Sequence, residues 1–294
     1  MKLIDGKKIS DDIRAEIKKA IVKIQQQTGR VPALATVLVG KDPASQLYIK
    51  LKIKACDNVG IKSFHHNLAT NSSQEKIISL IKKLNRNDEI DGILLQLPLP
   101  DNRNIQNCIN AIDPLKDVDG LHPFNTGLLN ISKNWNELMQ KKSLISCTPL
   151  GIIHLLNKSN ISIDRKTAVV IGRSNLVGKP LAMLLLANNA TVIMTHSKTK
   201  NLKELCKMAD IIIIAIGKAK FLTKDFIKDG TTVIDVGINR TANGLSGDVD
   251  FNAVKNMNIA ITPVPGGVGA MTITMLLKNT LKAFCKRHRK NNEF

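Results

Sequence analysis

Thr167-Ala-Val-Val-Ile-Gly172-Arg-Ser-Asn-Leu-Val-Gly178-Lys-Pro-Leu181 decides how this chain is organised. An apolar run of this length fits a buried strand. It is followed by a turn bounded by two glycines and then by a segment apolar on every side, as a helix packed against a sheet must be. Backbone amides at such a helix start can donate to a pyrophosphate, aided by the helix dipole. The spacing is GxSxxxG rather than GxGxxG. Taken alone it therefore fits an ordinary strand-to-helix turn as well as a dinucleotide site at Gly172, Arg173 and Ser174.

The next strand separates the two readings. Residues 191–195 form a second apolar run that ends in His196-Ser-Lys-Thr-Lys200, with no carboxylate. Folds that bind NAD commonly place Asp or Glu there to hold the ribose hydroxyls. Arg173, Ser197, Lys198 and Lys200 offer cationic and hydroxyl donors instead, which suit a 2′-phosphate. The expected cofactor is NADP, although each lysine by itself also reads as plain surface.

Outward from this turn, helices are expected over 150–157, 180–188 and 202–208, with strands over 168–171, 211–215, 233–236 and 259–262. That is a doubly wound α/β pattern. Upstream, Ile13, Ile17, Ala20, Ile21 and Ile24 recur at helical spacing from Ser10, with Asp11 and Asp12 in the first turn and Gly29 as a stop. Strands over 33–39, 61–68 and 90–97 alternate with a helix reaching about 58 and another over 73–87, the latter opened by Ser72 with Glu75 three residues on. Residues 113–147 lack clear periodicity and read as a connection plus an active-site loop. The expectation is a two-domain α/β protein: a catalytic domain over 1–147, a Rossmann domain over 148–270, and a terminal helix over 271–294 that packs back on the first domain.

Bulk properties narrow the class. With 294 residues, 43% of them hydrophobic and 23% charged, the chain can bury a core in each of two domains. The net charge of +19 attracts polyanions. Aromatic residues, at 3%, are too few for a platform that stacks single-stranded nucleic acid, and only Lys286–Lys290 is a dense basic run. A nucleic-acid partner is not expected. Cys56, Cys108, Cys147, Cys206 and Cys285 are odd in number and show neither CxxC nor metal-ligand spacing, so they read as reduced thiols of a cytoplasmic protein. The histidines form no pair with metal-ligand spacing, and no metal is expected. No apolar stretch approaches the roughly 18 residues of a membrane span.

Catalytic candidates lie in the first half. Tyr48 and Lys52 are four apart on an expected helix and share a face, with Ser45 one turn earlier. Such a pair is often no more than surface neighbours. Gln96, however, closes the apolar strand Gly92-Ile-Leu-Leu-Gln96, where an unpaired buried amide is costly and where ligands of open α/β sheets bind. Asp117 and Asp119 follow in Asp117-Val-Asp-Gly120; Asp117 reads as a residue that structures the loop.

The segments VGKDPASQLYIKLKIKAC (39–56), DGILLQLPLP (91–100), PLKDVDGLHPFNTG (114–127), CTPLG (147–151), GRSNLVGKP (172–180), DVGIN (235–239) and TPVPGGVGAMT (262–272) run in order along the whole chain. In them the sequence resembles the bifunctional methylenetetrahydrofolate dehydrogenase/cyclohydrolases, the FolD family. The resemblance implies NADP-dependent oxidation of 5,10-methylenetetrahydrofolate to the methenyl cation, then hydrolysis to 10-formyltetrahydrofolate, in one-carbon metabolism. It also implies a homodimer formed through the cofactor domain. Residue by residue, Lys52 matches the family's catalytic lysine, Tyr48 the ring that packs on the folate, Gln96 the partner that orients the lysine, and Asp119 the acceptor for the pterin N–H groups. Pro265, Gly266, Gly267, Val268 and Gly269 match a loop near the substrate, and Thr148 and Ile238 match positions near the nicotinamide. Ala270 departs from the family's usual proline, which is expected to loosen that loop. Two rivals stay open on residues alone: another NADP dehydrogenase, such as one acting on a shikimate-like acid, and a basic protein that keeps only the fold.

Overall fold

The structure, a computed structural model, describes residues 1–100, 103–141, 143–242 and 244–288. In chain order its elements are β1 (Lys2–Leu3), α1 (Gly6–Thr28), β2 (Ala33–Val39), α2 (Pro43–Val59), β3 (Lys62–Leu68), α3 (Gln74–Arg86), β4 (Gly92–Leu95), α4 (Ile105–Asn110), α5 (Pro123–Ile131) and α6 (Trp135–Gln140). They continue with α7 (Cys147–Lys158), β5 (Thr167–Ile171), α8 (Gly178–Ala187), β6 (Thr191–Thr195), α9 (Leu202–Met208), β7 (Ile211–Ile214), β8 (Thr232–Asp235), β9 (Asn239–Thr241), β10 (Gly244–Ser246), α10 (Phe251–Val254), β11 (Ala260–Ile261) and α11 (Val268–Arg287).

The chain divides into two compact units. One holds Met1–Asp11, Leu128–Lys141 and Thr148–Thr272; the other holds Asp12–Gly127, Lys142–Cys147 and Ile273–Phe294. The first is built on a parallel six-stranded sheet in the order β1-β11-β8-β7-β5-β6. The order steps outward from β5 in both directions, as in a doubly wound sheet, whose ligands bind at the carboxyl ends of the strands. Val169, Ile171, Ile212, Ile214, Val233 and Ile261 form one buried face together with Cys206 and Leu222.

The second unit has a parallel three-stranded sheet in the order β3-β2-β4. Every residue of β2 is buried, consistent with its central place, whereas edge strand β3 has none fully buried. From α3, Ile77, Ile81 and Leu84 point inward at spacings of four and three and pack with Ala35, Val37, Ile93 and Leu95. Each such side chain contributes about 1.5–3 kcal/mol on burial. The later part of α11 belongs to this unit: Asn279 Nδ2 donates to Val118 O and Ile145 O, both at 2.8 Å, and Arg287 Nη1 donates to the buried Asp91 at 2.8 Å.

Several local expectations are corrected. Helix α1 starts at Gly6 rather than Ser10, because Asp5 Oδ1 accepts from Lys8 N at 2.9 Å and opens the helix four residues early; Asp11 and Asp12 therefore lie beyond its first turn. Ser73, not Ser72, caps α3, its Oγ accepting from Lys76 N at 3.3 Å. The 113–147 segment is not a plain connection. Helix α5 occupies part of it, and α6 is opened by Asn134 Oδ1 accepting from Glu137 N and buries Leu138. Helices this short leave almost no periodic trace. Helix α11 begins at Val268, so Val268 and Gly269 sit in its first turn rather than in a loop. Ala270 lies in the same turn, where proline is tolerated but not needed, since those N–H groups have no intrahelical partner. Arg289, Lys290 and the rest of the helix expected to 294 lie outside the described residues.

Candidate active site

Helix α2 carries the first group of candidates. Asp42 caps it, Oδ2 accepting from Ser45 N at 2.7 Å, and Pro43 stands at its first position. Tyr48 and Lys52 follow one turn apart, both half-buried, while Ser45 is buried. Lys52 Nζ donates to Gln96 Oε1 at 2.8 Å, and Gln96 Nε2 donates to Leu97 O at 2.7 Å. Gln96 follows β4 directly and continues its ladder through Gln96 N to Val37 O, so the sheet itself aims the amide. The buried amide that sequence reasoning found costly is thereby paired on both sides.

Burial pushes the Lys52 ammonium below the ordinary lysine range; the Asp119 carboxylate and the thiols of Cys147 and Cys56 act in the opposite sense. Asp119 is half-buried. Its neighbour Asp117 is buried and spends its carboxylate on the loop, accepting from Leu121 N at 3.2 Å, His122 N at 2.8 Å and Asn125 Nδ2 at 2.9 Å. Gly120 then turns with φ +69, and a Cβ there would lie 2.3 Å from the Ile145 carbonyl carbon. The result is a lysine with a lowered pKa, an amide that holds it, an aromatic ring and a carboxylate, all in one unit.

Sequence reasoning missed Cys147 and Asn279 at this place. Cys147 Sγ donates to Val118 O at 3.3 Å, and burial, with Asp119 nearby, pushes its thiol well above the usual range. Asn279 reaches the same Val118 carbonyl from α11. Cys147 had a signal in that it opens the CTPLG segment, whereas Asn279 lies 161 residues from its partner and had none.

The other unit assembles the cofactor candidates at the carboxyl ends of β5 and β6. Gly172 has φ +124 and donates its N–H to Thr195 O at 3.0 Å; a Cβ would meet Ala215 O at 2.5 Å. Gly178 opens α8 so close to the turn that a Cβ would lie 2.2 Å from Gly172 O. Ser174 Oγ accepts from Val177 N and Gly178 N, and Arg173 and Ser174 are exposed. After β6, His196 N donates to Thr199 Oγ1 and Lys198 N to His196 Nδ1, a closed turn that leaves Ser197, Lys198 and Lys200 exposed. Thr148 Oγ1 lies 2.9 Å from Thr272 Oγ1. Ile238 is exposed, and its Cδ1 is 3.6 Å from where a Cβ on Gly269 would stand. Pro265 is exposed, Gly266 takes φ +101, and Gly266 O accepts from Lys7 N at 2.9 Å. Among the described residues, no group of three or more His, Cys, Asp or Glu is placed to hold a metal ion.

The family profile "Tetrahydrofolate dehydrogenase/cyclohydrolase, catalytic domain" matches residues 4–119, and "Tetrahydrofolate dehydrogenase/cyclohydrolase, NAD(P)-binding domain" matches 146–288. The chain belongs to the tetrahydrofolate dehydrogenase/cyclohydrolase family. The bifunctional protein FolD of Agathobacter rectalis is 50% identical to it over 282 residues, which cover 96% of this chain and 98% of that protein. The crystal structure of the bifunctional enzyme FolD from Campylobacter jejuni superposes with a TM-score of 0.92 at 45% identity, covering 98% of this chain and 99% of that one. The Trypanosoma brucei methylenetetrahydrofolate dehydrogenase-cyclohydrolase, solved with NADP cofactor and an inhibitor, gives 0.91 at 34% identity, with 98% of each chain covered. Lys52, Gln96 and Asp119 fall within the matched catalytic domain, and the Gly172 turn within the matched NAD(P)-binding domain. The two-domain α/β fold and the family expected from the sequence both stand.

Proposed function

We propose that this chain is a bifunctional enzyme of one-carbon folate metabolism. It oxidises 5,10-methylenetetrahydrofolate with NADP+ to the methenyl cation and hydrolyses that cation to 10-formyltetrahydrofolate. The observation that carries the reading is the Lys52–Gln96 hydrogen bond beside Asp119, in a chain whose other unit offers a phosphate turn followed by Ser197 and two lysines instead of a carboxylate.

Residues 1–147 with the C-terminal helix α11 are assigned folate binding and catalysis, and residues 148–270 the cofactor. Gly172, Arg173 and Ser174 are placed at the pyrophosphate, Arg173 and Ser197 at the 2′-phosphate, and Thr148 and Ile238 near the nicotinamide. When bound, NADP+ supplies the hydride acceptor. Tyr48 offers a ring face to the folate, and Asp119 accepts from the pterin N–H groups. Pro265, Gly266, Gly267, Val268 and Gly269 are assigned to substrate binding.

Lys52 does the acid–base work. Burial lowers its pKa, and a cationic methenyl group beside it acts in the same sense, which favours the neutral amine that a base must present. It then takes a proton from water as the oxygen bonds to the cationic carbon. The hydroxyl proton of the adduct then leaves to solvent as the formyl C=O forms and the ring C–N bond opens, and the proton held on Lys52 passes to the departing nitrogen, so that one proton is released overall. Gln96 holds the amine lone pair toward the substrate by accepting one of its N–H groups.

The enzyme is placed in the cytoplasm as a homodimer joined through the NADP unit. All five cysteines are buried free thiols, which suits a reducing compartment. Strand β6 lies at an edge of the six-stranded sheet with Val192, Ile193 and Met194 only half-buried, a surface that a second copy can cover. Among the described residues, no helix is long and apolar enough to cross a membrane.

The test compares cofactors. With methylenetetrahydrofolate, kcat/KM for NADP+ is expected to exceed that for NAD+ by about tenfold or more, the value of one or two charge-assisted hydrogen bonds. Reduction of neither cofactor, or a preference for NAD+, overturns the proposal.

A further inference from the structure

Lys116 is the largest of the fully buried side chains, 1% exposed, and the mechanism above does not use it. A lysine is rarely buried so completely without a partner for each proton. Here Nζ donates to Leu84 O at 3.1 Å, Asn85 O at 2.8 Å and Asn87 O at 2.8 Å, which satisfies all three N–H groups. Those carbonyls are the end of α3. Its cap residue, Asn87, is extended at φ −82 and ψ 112, so the helix lacks the left-handed turn that usually satisfies its last carbonyls. The ammonium takes that role and also sits at the negative end of the helix dipole.

The backbone of the same residue is tied to the sheet. Lys116 O accepts from Ile93 N at 2.7 Å, and Asp117 pairs with Ile93 as an isolated parallel bridge, so the 116–118 segment is anchored to β4. Val118 fills the space over Gly92, where a Cβ would lie 2.5 Å from Val118 Cγ1. Asp119 is the next residue, and its carboxylate acts on Lys52. The path from α3 to the site is thus short: helix end, Lys116 side chain, the bridged segment 116–118, Asp119.

We infer that Lys116 is a positioning residue for the folate reactions, setting where the Asp119 carboxylate stands by docking the 116–118 segment onto the C-terminal end of α3. The inference rests on the role proposed above for Asp119. A carboxylate displaced by about 1 Å costs on the order of 10²-fold in rate when orientation matters. Because the fault lies on the folate side, cofactor binding in the other unit is left alone.

A double-mutant cycle tests this in the full-length enzyme, with circular dichroism confirming that each variant is folded at the assay temperature. Lys116→Met is expected to lower kcat/KM for methylenetetrahydrofolate and for the methenyl substrate by about tenfold or more, with KM for NADP+ within about twofold of wild type. In an Asp119→Asn background the same substitution is expected to change kcat/KM by less than about twofold, because its target is already removed. Should Lys116→Met fail to fold, Lys116→Gln, which keeps two donors on a shorter arm, takes its place in the cycle. Equal losses from the Lys116 substitution in both backgrounds, an equal rise in KM for NADP+, or a folded single variant with wild-type folate kinetics each overturns the inference. If Asp119→Asn alone leaves folate kinetics unchanged, the role assigned to Asp119 fails, and the inference falls with it while the dehydrogenase assignment stands.

Discussion

Replacing Lys52 by Met separates the two chemistries assigned to one site. The side chain keeps its length and apolar stem, so Tyr48 and the rest of α2 keep their packing. What disappears is Nζ, together with its 2.8 Å hydrogen bond to Gln96 Oε1. Gln96, 8% exposed, then holds an acceptor with one partner fewer, at a cost of about 1–3 kcal/mol in stability. Exchanging a half-buried ammonium for an apolar group offsets part of that. The fold is therefore expected to survive with Tm lowered by a few degrees at most. Hydrolysis loses its base, and positioned general bases contribute about 10²–10⁴-fold, so the cyclohydrolase rate is expected to fall by that factor. Hydride transfer needs no proton from Lys52, so NADPH formation from methylenetetrahydrofolate persists within about tenfold of wild type. The assay follows NADPH formation and loss of methenyl absorbance on one preparation. A Lys52→Met enzyme that hydrolyses the methenyl substrate at the wild-type rate would refute the reasoning, as would equal loss of both activities.

Other outcomes follow from the same geometry. Arg173→Ala and Ser197→Ala should each raise KM for NADP+ by about 10-fold, up to about 100-fold where a charge-assisted bond is lost, with little effect on KM for NAD+; parallel cofactor titrations check this. Burial raises the Asp235 carboxyl from 3.8 to about 6, even though three backbone N–H groups favour its ionised form. Because the folded state holds this proton more tightly, its contribution to stability is fully present below about pH 4 and is lost as pH rises through about 6, close to 3 kcal/mol at about 1.36 kcal/mol per pH unit. Urea midpoints at pH 5 and 7 should therefore converge in Asp235→Asn relative to wild type. Arg287→Ala strips the buried Asp91 of its 2.8 Å ion pair and should cost about 3–5 kcal/mol, read from the same urea titrations.

How much of this was legible depended on where each residue's partners lie along the chain. The strand and helix around Gly172 could be read because a strand buried on both faces shows as an unbroken apolar run. Tyr48 and Lys52 could be read because a helix brings residues four apart together, and Gln96 because a buried amide at a strand end needs a partner. Helices α5 and α6 could not, since their few turns bury too little to mark a period and Asn134 supplies the cap. Strand β1 was equally hidden, being two residues paired to β11 near the far end of the chain. Lys116 was the least legible: in sequence a lysine beside an aspartate reads as surface, and only the arrival of the α3 end, about thirty residues upstream, turns it into a buried anchor.

One measurement bears most directly on the central claim that a single chain, with Lys52 at its catalytic site, carries both reactions. Purified enzyme is given 5,10-methylenetetrahydrofolate and NADP+ alone, and the folate products are resolved while NADPH is counted. The predicted result is 10-formyltetrahydrofolate formed in step with NADPH, faster than the methenyl compound hydrolyses in buffer. Accumulation of the methenyl compound at its uncatalysed rate of decay, or no NADPH at all, would contradict the account.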